Sequence, residues 1–151
     1  MEAIALGRKA HAAPPGAVVL KGGALGRRFA SSSEPVVLFS KQRGDRTEGT
    51  MQIVLPVEEA NPKAAWLVLT MYDWDQSGEG EVYLNGRKLA VPTSRLSNGR
   101  DYIFPPVAVP AGWLKFGPEP NVLRFVYKST AGFIVKKAEI TVSDAPSAAG
   151  P

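Results

Sequence analysis

Residues 64–75 read AAWLVLTMYDWD, and in this stretch Ala65, Leu67, Leu69 and Met71 alternate with Trp66, Val68, Thr70 and Tyr72. A period of two over this length is the signature of an extended chain, because successive side chains of a strand point to opposite faces. The first set is apolar throughout and is expected to face a core. The second set, with aromatic and hydroxyl groups, is expected to face a second layer or solvent.

Outward from this strand the same grammar repeats. DQSGEG at 75–80 breaks the alternation with two glycines, and EVYLNG resumes it with Val82 and Leu84 inward and Glu81, Tyr83 and Asn85 outward. Asn85-Gly86 is a turn dipeptide, since both residues tolerate positive φ. YIFPPVAVP at 102–110 is a strand interrupted by Pro105 and Pro106, which marks an edge or a crossing between sheets, because proline cannot donate to a ladder. NVLRFVYK alternates Leu123, Phe125 and Tyr127 against Arg124, Val126 and Lys128. GFIVKKAEITV is a last strand in which Lys136-Lys137 shifts the parity and implies a bulge. GAVVLKGG, EPVVLFSKQ and GTMQIVLPVEE supply three more strands upstream. Eight or so short strands without a sustained 3.6-residue apolar repeat predict an all-β fold, a two-sheet antiparallel β-sandwich of jelly-roll topology.

The chain has 151 residues, the size of one domain that can bury a core without covalent staples. Its 15 glycines and 13 prolines are scattered between the apolar runs, as in other all-β proteins. Residues 1–15 are expected to be a disordered N-terminal extension or a vector remnant, 16–143 the sandwich, and 144–151 a disordered tail or linker. No apolar run approaches the ~20 residues that span a bilayer, so no membrane partner is expected, and the opening residues do not read as a secretory signal. Cysteine is absent and His11 is the only histidine. Thiolate chemistry, a Ser/His/Asp triad based on a folded histidine and multi-histidine metal sites are excluded.

The net charge of +4 conceals an asymmetry. YDWDQSGEGEVYLNG, residues 72–86, holds four of the fourteen acidic residues and no basic one. DWDQSG matches the opening of an EF-hand-type loop, but the bidentate carboxylate due at its twelfth position falls on Leu84. A different structural calcium site using Asp73, Asp75 and Glu81 is one reading; no other cofactor is called for. Aspartates that cap the turn through its free N–H groups are the second. A paired-carboxylate hydrolase is the third, since retaining glycosidases hold two carboxyl groups ~5 Å apart, but no apolar pocket in the sequence marks a group whose pKa would be raised.

The order of phrases from YDWD through GEVYLNG and VAVPAGWLKFGPEPNVLRFVY to STAGFIVKKAEITV resembles the galactose-binding-like β-sandwich, the jelly roll of many carbohydrate-binding modules and of sugar-binding domains in glycoside hydrolases. The resemblance covers roughly residues 50–142 and departs from the usual phrase at Phe116 and at Pro118-Glu119-Pro120. It implies a fold that binds and seldom catalyses. Tyr72, Trp74 and Tyr83 share outward parity on two strands expected to be adjacent, and sugar rings stack on exposed aromatic planes. If the strand through Arg124 and Lys128 lies on the same sheet, these cations would bond hydroxyls or uronate carboxylates. The alternative is that the aromatics pack beneath a loop. Trp66 and Trp113 are expected to pack. Lys and Arg are dispersed, with no aromatic-lined basic groove for nucleic acid. The expectation is a non-catalytic carbohydrate-binding module that binds poly- or oligosaccharide and belongs with the other domains of an extracellular polysaccharide-degrading enzyme. The alternative is a structural or docking sandwich without a soluble ligand.

Overall fold

A computed structural model describes residues 17–19, 25–31, 33–38, 47–129 and 132–144. The expectations for residues 1–15 and for the tail beyond Asp144 lie outside the described residues. Among the described residues eleven strands form two antiparallel sheets: β1 (Ala17–Val19), β2 (Leu25–Ala30), β3 (Val36–Leu38), β4 (Glu48–Ile53), β5 (Ala64–Tyr72), β6 (Gly80–Leu84), β7 (Arg87–Leu89), β8 (Asp101–Ile103), β9 (Val107–Ala108), β10 (Asn121–Tyr127) and β11 (Phe133–Ser143). The larger sheet runs β1-β2-β11-β5-β8, with β3 also on β11 and β9 also on β5; the smaller runs β4-β10-β6-β7. From β3 onward the chain changes sheet at every connection except the β6–β7 hairpin and the break between β8 and β9. The described residues hold no α-helix, only single 3₁₀ turns at Val57–Glu59, Arg95–Ser97 and Ala111–Trp113. No helix among them is long and apolar enough to cross a membrane.

The inward faces of the two sheets form one core. Leu67, Leu69 and Met71 of β5 and Val135, Ala138 and Ile140 of β11 meet Met51, Val82, Leu84, Leu123 and Phe125 from the smaller sheet, all at or near full burial. Removing one such side chain costs ~2–5 kcal/mol. The alternation expected of β5 is present on its core face, and Trp66, on the opposite face, is also completely buried.

Local backbone choices set the registers. Asn85 (φ 50°) and Gly86 (φ 83°) turn the β6–β7 hairpin, both in the left-handed region that such a turn requires. In β11 the pairing with β5 slips between Val135 and Lys137, so Lys136 is the extra residue and Ala138, Ile140 and Val142 regain the core face. Pro105 and Pro106 split the edge of the larger sheet into β8 and β9, both paired to β5. They mark an edge and not a change of sheet.

Strand β2, LGRRFA, was not anticipated, because an Arg27-Arg28 pair does not read as a strand. Arg27 is nonetheless buried, with its guanidinium 2.7 Å from Glu59 and 3.3 Å from Asp144, and Arg28 pairs with Glu139 at 3.2 Å. Paired charge is what lets arginine occupy such a position.

Candidate functional site

Strand β5 ends at Tyr72, and Asp73 takes φ 63°, a left-handed conformation that reorients the chain. The outward parity of Tyr72 therefore does not carry to Trp74. Trp74 is only 3% exposed; its ring meets Phe133 edge-on at 4.6 Å, and its indole N–H donates to the Pro92 carbonyl at 3.1 Å. The expectation of an outward Trp74 is corrected: it is a core residue. The turn that follows carries the chain to the other sheet, so β5 and β6 are not neighbours. Tyr72 lies on the larger sheet, with Lys136 Nζ 5.8 Å from its ring, and Tyr83 lies on the smaller one. The expected three-aromatic platform does not assemble.

What does assemble is a polar face around Tyr83. Arg124 on β10 is in register with Tyr83 on β6, and its guanidinium carbon sits 4.4 Å from the ring centroid. Arg124 also pairs with Glu48 on β4. The Tyr83 hydroxyl donates to Glu81 Oε1 at 2.8 Å, and Lys88 on β7 reaches Glu81 Oε2 at 3.1 Å. The hydrogen bond from Tyr83, followed by that from Lys88 and the charge of Lys128, holds the Glu81 carboxyl below its usual pKa. The same bond to Glu81 raises the Tyr83 hydroxyl. Tyr83 and Arg124 thus share one sheet face with Glu48, Glu81 and Lys88, while Lys128, one residue past β10, acts on this face through its charge near Glu81.

Beside this face, between the β6–β7 hairpin and the acidic turn, lies a cleft of about 320 Å³. Lys88, Lys128 and Glu81 supply its charged walls, and Gly80, Leu89 and Trp74 supply apolar surface. The volume is at the lower end of the ~300–1,000 Å³ typical of small-ligand sites. Gly80 is required where it stands, since a Cβ there would lie 2.5 Å from the Phe133 ring and 2.7 Å from the Val126 carbonyl oxygen.

The carboxylates of the acidic turn have separate employments. Asp73 Oδ1 accepts from the Gly99 N–H at 3.0 Å, in the loop after the Arg95–Ser97 turn. Glu81 is engaged by Tyr83 and Lys88, and Asp75 lies near the Glu79 carboxyl, whose protonated form its charge favours. Asp73 and Asp75 do not share a strand face, because the strand has already ended. Among the described residues no three acidic or histidine side chains converge as a metal-ligating group, so the calcium reading of Asp73, Asp75 and Glu81 finds no converged set of ligands.

The residue that sequence reasoning missed is Glu79. It is 1% exposed, and its carboxyl accepts from the Gln76 N–H at 3.2 Å through Oε1 while Oε2 has no protein partner. Burial, with Asp75 and Asp73 nearby, pushes its pKa up to about 7. Its backbone carbonyl accepts from the N–H groups of Lys128 and Ser129, which ties the turn to β10. Glu79 does not line the cleft, and the carboxyls whose charge reaches it, Asp75 and Asp73, do not line it either. A glutamate between Gly78 and Gly80 reads as a solvated turn residue, and nothing in one sequence signals its burial.

No family model matches the chain, and no curated protein matches it. Among solved structures the chain is similar to BpGH86A, a β-porphyranase of glycoside hydrolase family 86 from the human gut bacterium Bacteroides plebeius, at TM-score 0.53 and 18% identity over 78% of this chain and 20% of that one. It is also similar to a BuGH86 variant in complex with neoagarooctaose, at TM-score 0.55 and 13% identity over 77% of this chain and 18% of that one. Wild-type BuGH86 in the same complex gives TM-score 0.54 and 15% identity. At these identities the likeness is one of fold: the chain has the β-sandwich fold of a segment of glycoside hydrolase family 86 enzymes and spans about a fifth of their length.

Proposed function

We propose that this chain is a non-catalytic carbohydrate-binding module, an accessory domain of an extracellular polysaccharide-degrading enzyme. The observation that carries the reading is the outer face of the smaller sheet, where the half-buried Tyr83 ring, Arg124, Glu81 and Lys88 adjoin the 320 Å³ cleft. An aromatic ring framed by charged hydrogen-bonding groups suits the amphipathic faces of a sugar. Support comes also from the fold shared with a segment of enzymes, one of them described in complex with neoagarooctaose. The experiment is calorimetric titration with neoagarooctaose. Saturable binding that Tyr83→Ala weakens at least tenfold is expected, and heats indistinguishable from dilution for a panel of neutral and charged glycans would overturn the reading.

The second reading, a docking sandwich, is favoured by a different surface. Ile103 on the edge strand β8 is 67% exposed and Leu96 57%, near an apolar groove of about 300 Å³ lined by Tyr102, Phe104, Pro105 and Val107. Apolar surface of this kind suits contact with a neighbouring domain. Charged substitution of Ile103 separates the two readings, since it would disturb docking and leave glycan binding intact.

A further inference from the structure

The cleft beside Tyr83 is lined by two lysines and one carboxylate, and the acidic turn contributes only Trp74 and Gly78 to its lining, not Asp73, Asp75 or Glu79. Lys88 is already engaged by Glu81. Lys128, exposed just past the end of β10, lines the same cleft, and the Lys128 N–H to Glu79 carbonyl bond of 3.0 Å fixes its backbone there. Glu81 stays ionised, because Tyr83, Lys88 and Lys128 all favour its charged form. The lining therefore keeps a net charge of +1, formed by Lys88 and Lys128 against Glu81. A neutral sugar gains little from such an excess, whereas an anionic group held against an ammonium gains a charge-assisted hydrogen bond.

We infer that the cleft takes an anionic substituent of the bound glycan, a carboxylate or a sulfate ester, with Lys128 as its principal contact and Lys88 as the second. This rests on the carbohydrate-binding reading above and specifies its ligand class: the sugar ring lies along Tyr83 and Arg124 while its charged substituent enters between the lysines. Glu81 then acts against the anion. It competes for Lys88 and repels the incoming charge, so its removal strengthens binding of anionic glycans, the opposite of what a hydroxyl-bonding carboxylate would do.

Affinity electrophoresis of the full chain in gels containing agarose, κ-carrageenan or alginate tests the assignment and separates sulfate from carboxylate. The expected result is retention by κ-carrageenan or alginate exceeding that by agarose. Lys128→Gln should reduce the charged-gel retention about tenfold, the worth of one charge-assisted bond. Lys128→Arg should keep most of it, and Glu81→Gln should increase it severalfold, with folding of each variant checked by thermal melting. Equal retention by agarose and the charged gels, with no effect of Lys128→Gln, overturns the anionic assignment and leaves the sugar-binding reading standing. Retention by none of the gels overturns both. Retention of double-stranded DNA as strong as that of κ-carrageenan, and equally sensitive to Lys128→Gln, would reduce the site to unselective polyanion binding and overturn the assignment as well.

Discussion

Arg124 and Tyr83 face each other directly across the β10–β6 pair, with the guanidinium carbon 4.4 Å from the phenol ring centroid. The stack orients both side chains on the same outer face. It also pre-organises the surface proposed to meet a sugar, since a ring held in place loses less freedom on binding. A half-exposed cation–π pair is worth ~0.5–1 kcal/mol. A double-mutant cycle of Tyr83→Leu and Arg124→Met, followed by urea unfolding, should return a coupling of that size. A coupling indistinguishable from zero would mean that the two side chains are independent in solution.

Glu79 makes stability depend on pH in an unusual direction for a carboxylate. Its folded pKa, about 7, lies above the ordinary 4.5. Between these values the unfolded chain loses the proton first, so unfolding releases a proton and rising pH favours it. The stabilisation is complete below about pH 4.5 and is lost as pH rises through 7, by up to ~3 kcal/mol. Glu79→Gln should remove this slope, leaving the variant more stable than the parent at pH 8 and close to it at pH 4.5. Melting curves across that range would show it. A parent whose stability rises between pH 5 and 8, with the same slope in the variant, would place the Glu79 carboxyl in water.

Asp73 has a different task. Its carboxylate closes the Gly99 N–H, joining the end of β5 to the loop that follows the Arg95–Ser97 turn. Asp73→Ala should cost about 1–2 kcal/mol through that bond. Calcium binding to the folded state would add RT ln(1 + [L]/Kd), ~2.7 kcal/mol at a hundredfold excess over Kd. Since the carboxylates around Asp73 do not converge, the expected melting temperature is the same in millimolar calcium and in chelator. A rise in calcium that chelator reverses would contradict this.

Asn121 holds the loop between β9 and β10. Fully buried, it donates to the carbonyls of Ile53 (3.2 Å) and Lys115 (3.0 Å) and accepts from the Lys115 N–H (2.8 Å) and from Asn85 (3.0 Å). Asn85 in turn donates to the Trp113 carbonyl at 2.7 Å and accepts from the Val122 N–H at 2.9 Å. Asn121→Ala would leave several of these groups unsatisfied and should cost ~3 kcal/mol. For a domain of this size that corresponds to about 10 °C in Tm. A loss under 1 kcal/mol in chemical unfolding would show that water replaces the side chain.

The legibility of the sequence follows from how far each signal reaches. Period-two alternation is local, so β5, β6, β10 and β11, the Asn85-Gly86 hairpin and the bulge at Lys136 could all be read from a few residues. Burial of charge is not local. Arg27 enters β2 because Glu59 and Asp144 meet it from 32 and 117 positions away, and Glu79 is buried in a turn whose carbonyl is held by the N–H groups of Lys128 and Ser129. The aromatic platform failed for a related reason. A single left-handed residue, Asp73, ended the parity that Trp74 was expected to inherit, and a short turn can as well cross to the opposite sheet as fold back on its own strand. Tyr83 and Arg124 do fall on one sheet, because β6 and β10 pair, and Lys128 follows the end of β10.

Backbone amide mapping of the ¹⁵N-labelled chain during titration with neoagarooctaose tests the proposed sugar-binding face most directly. The account predicts saturable shifts confined to β6, β7 and β10, centred on Tyr83, Arg124 and the cleft lysines, and lost in Tyr83→Ala. Shifts centred instead on Ile103 and the Tyr102–Val107 groove, or no shifts at millimolar ligand together with none on titration with charged oligosaccharides, would contradict it.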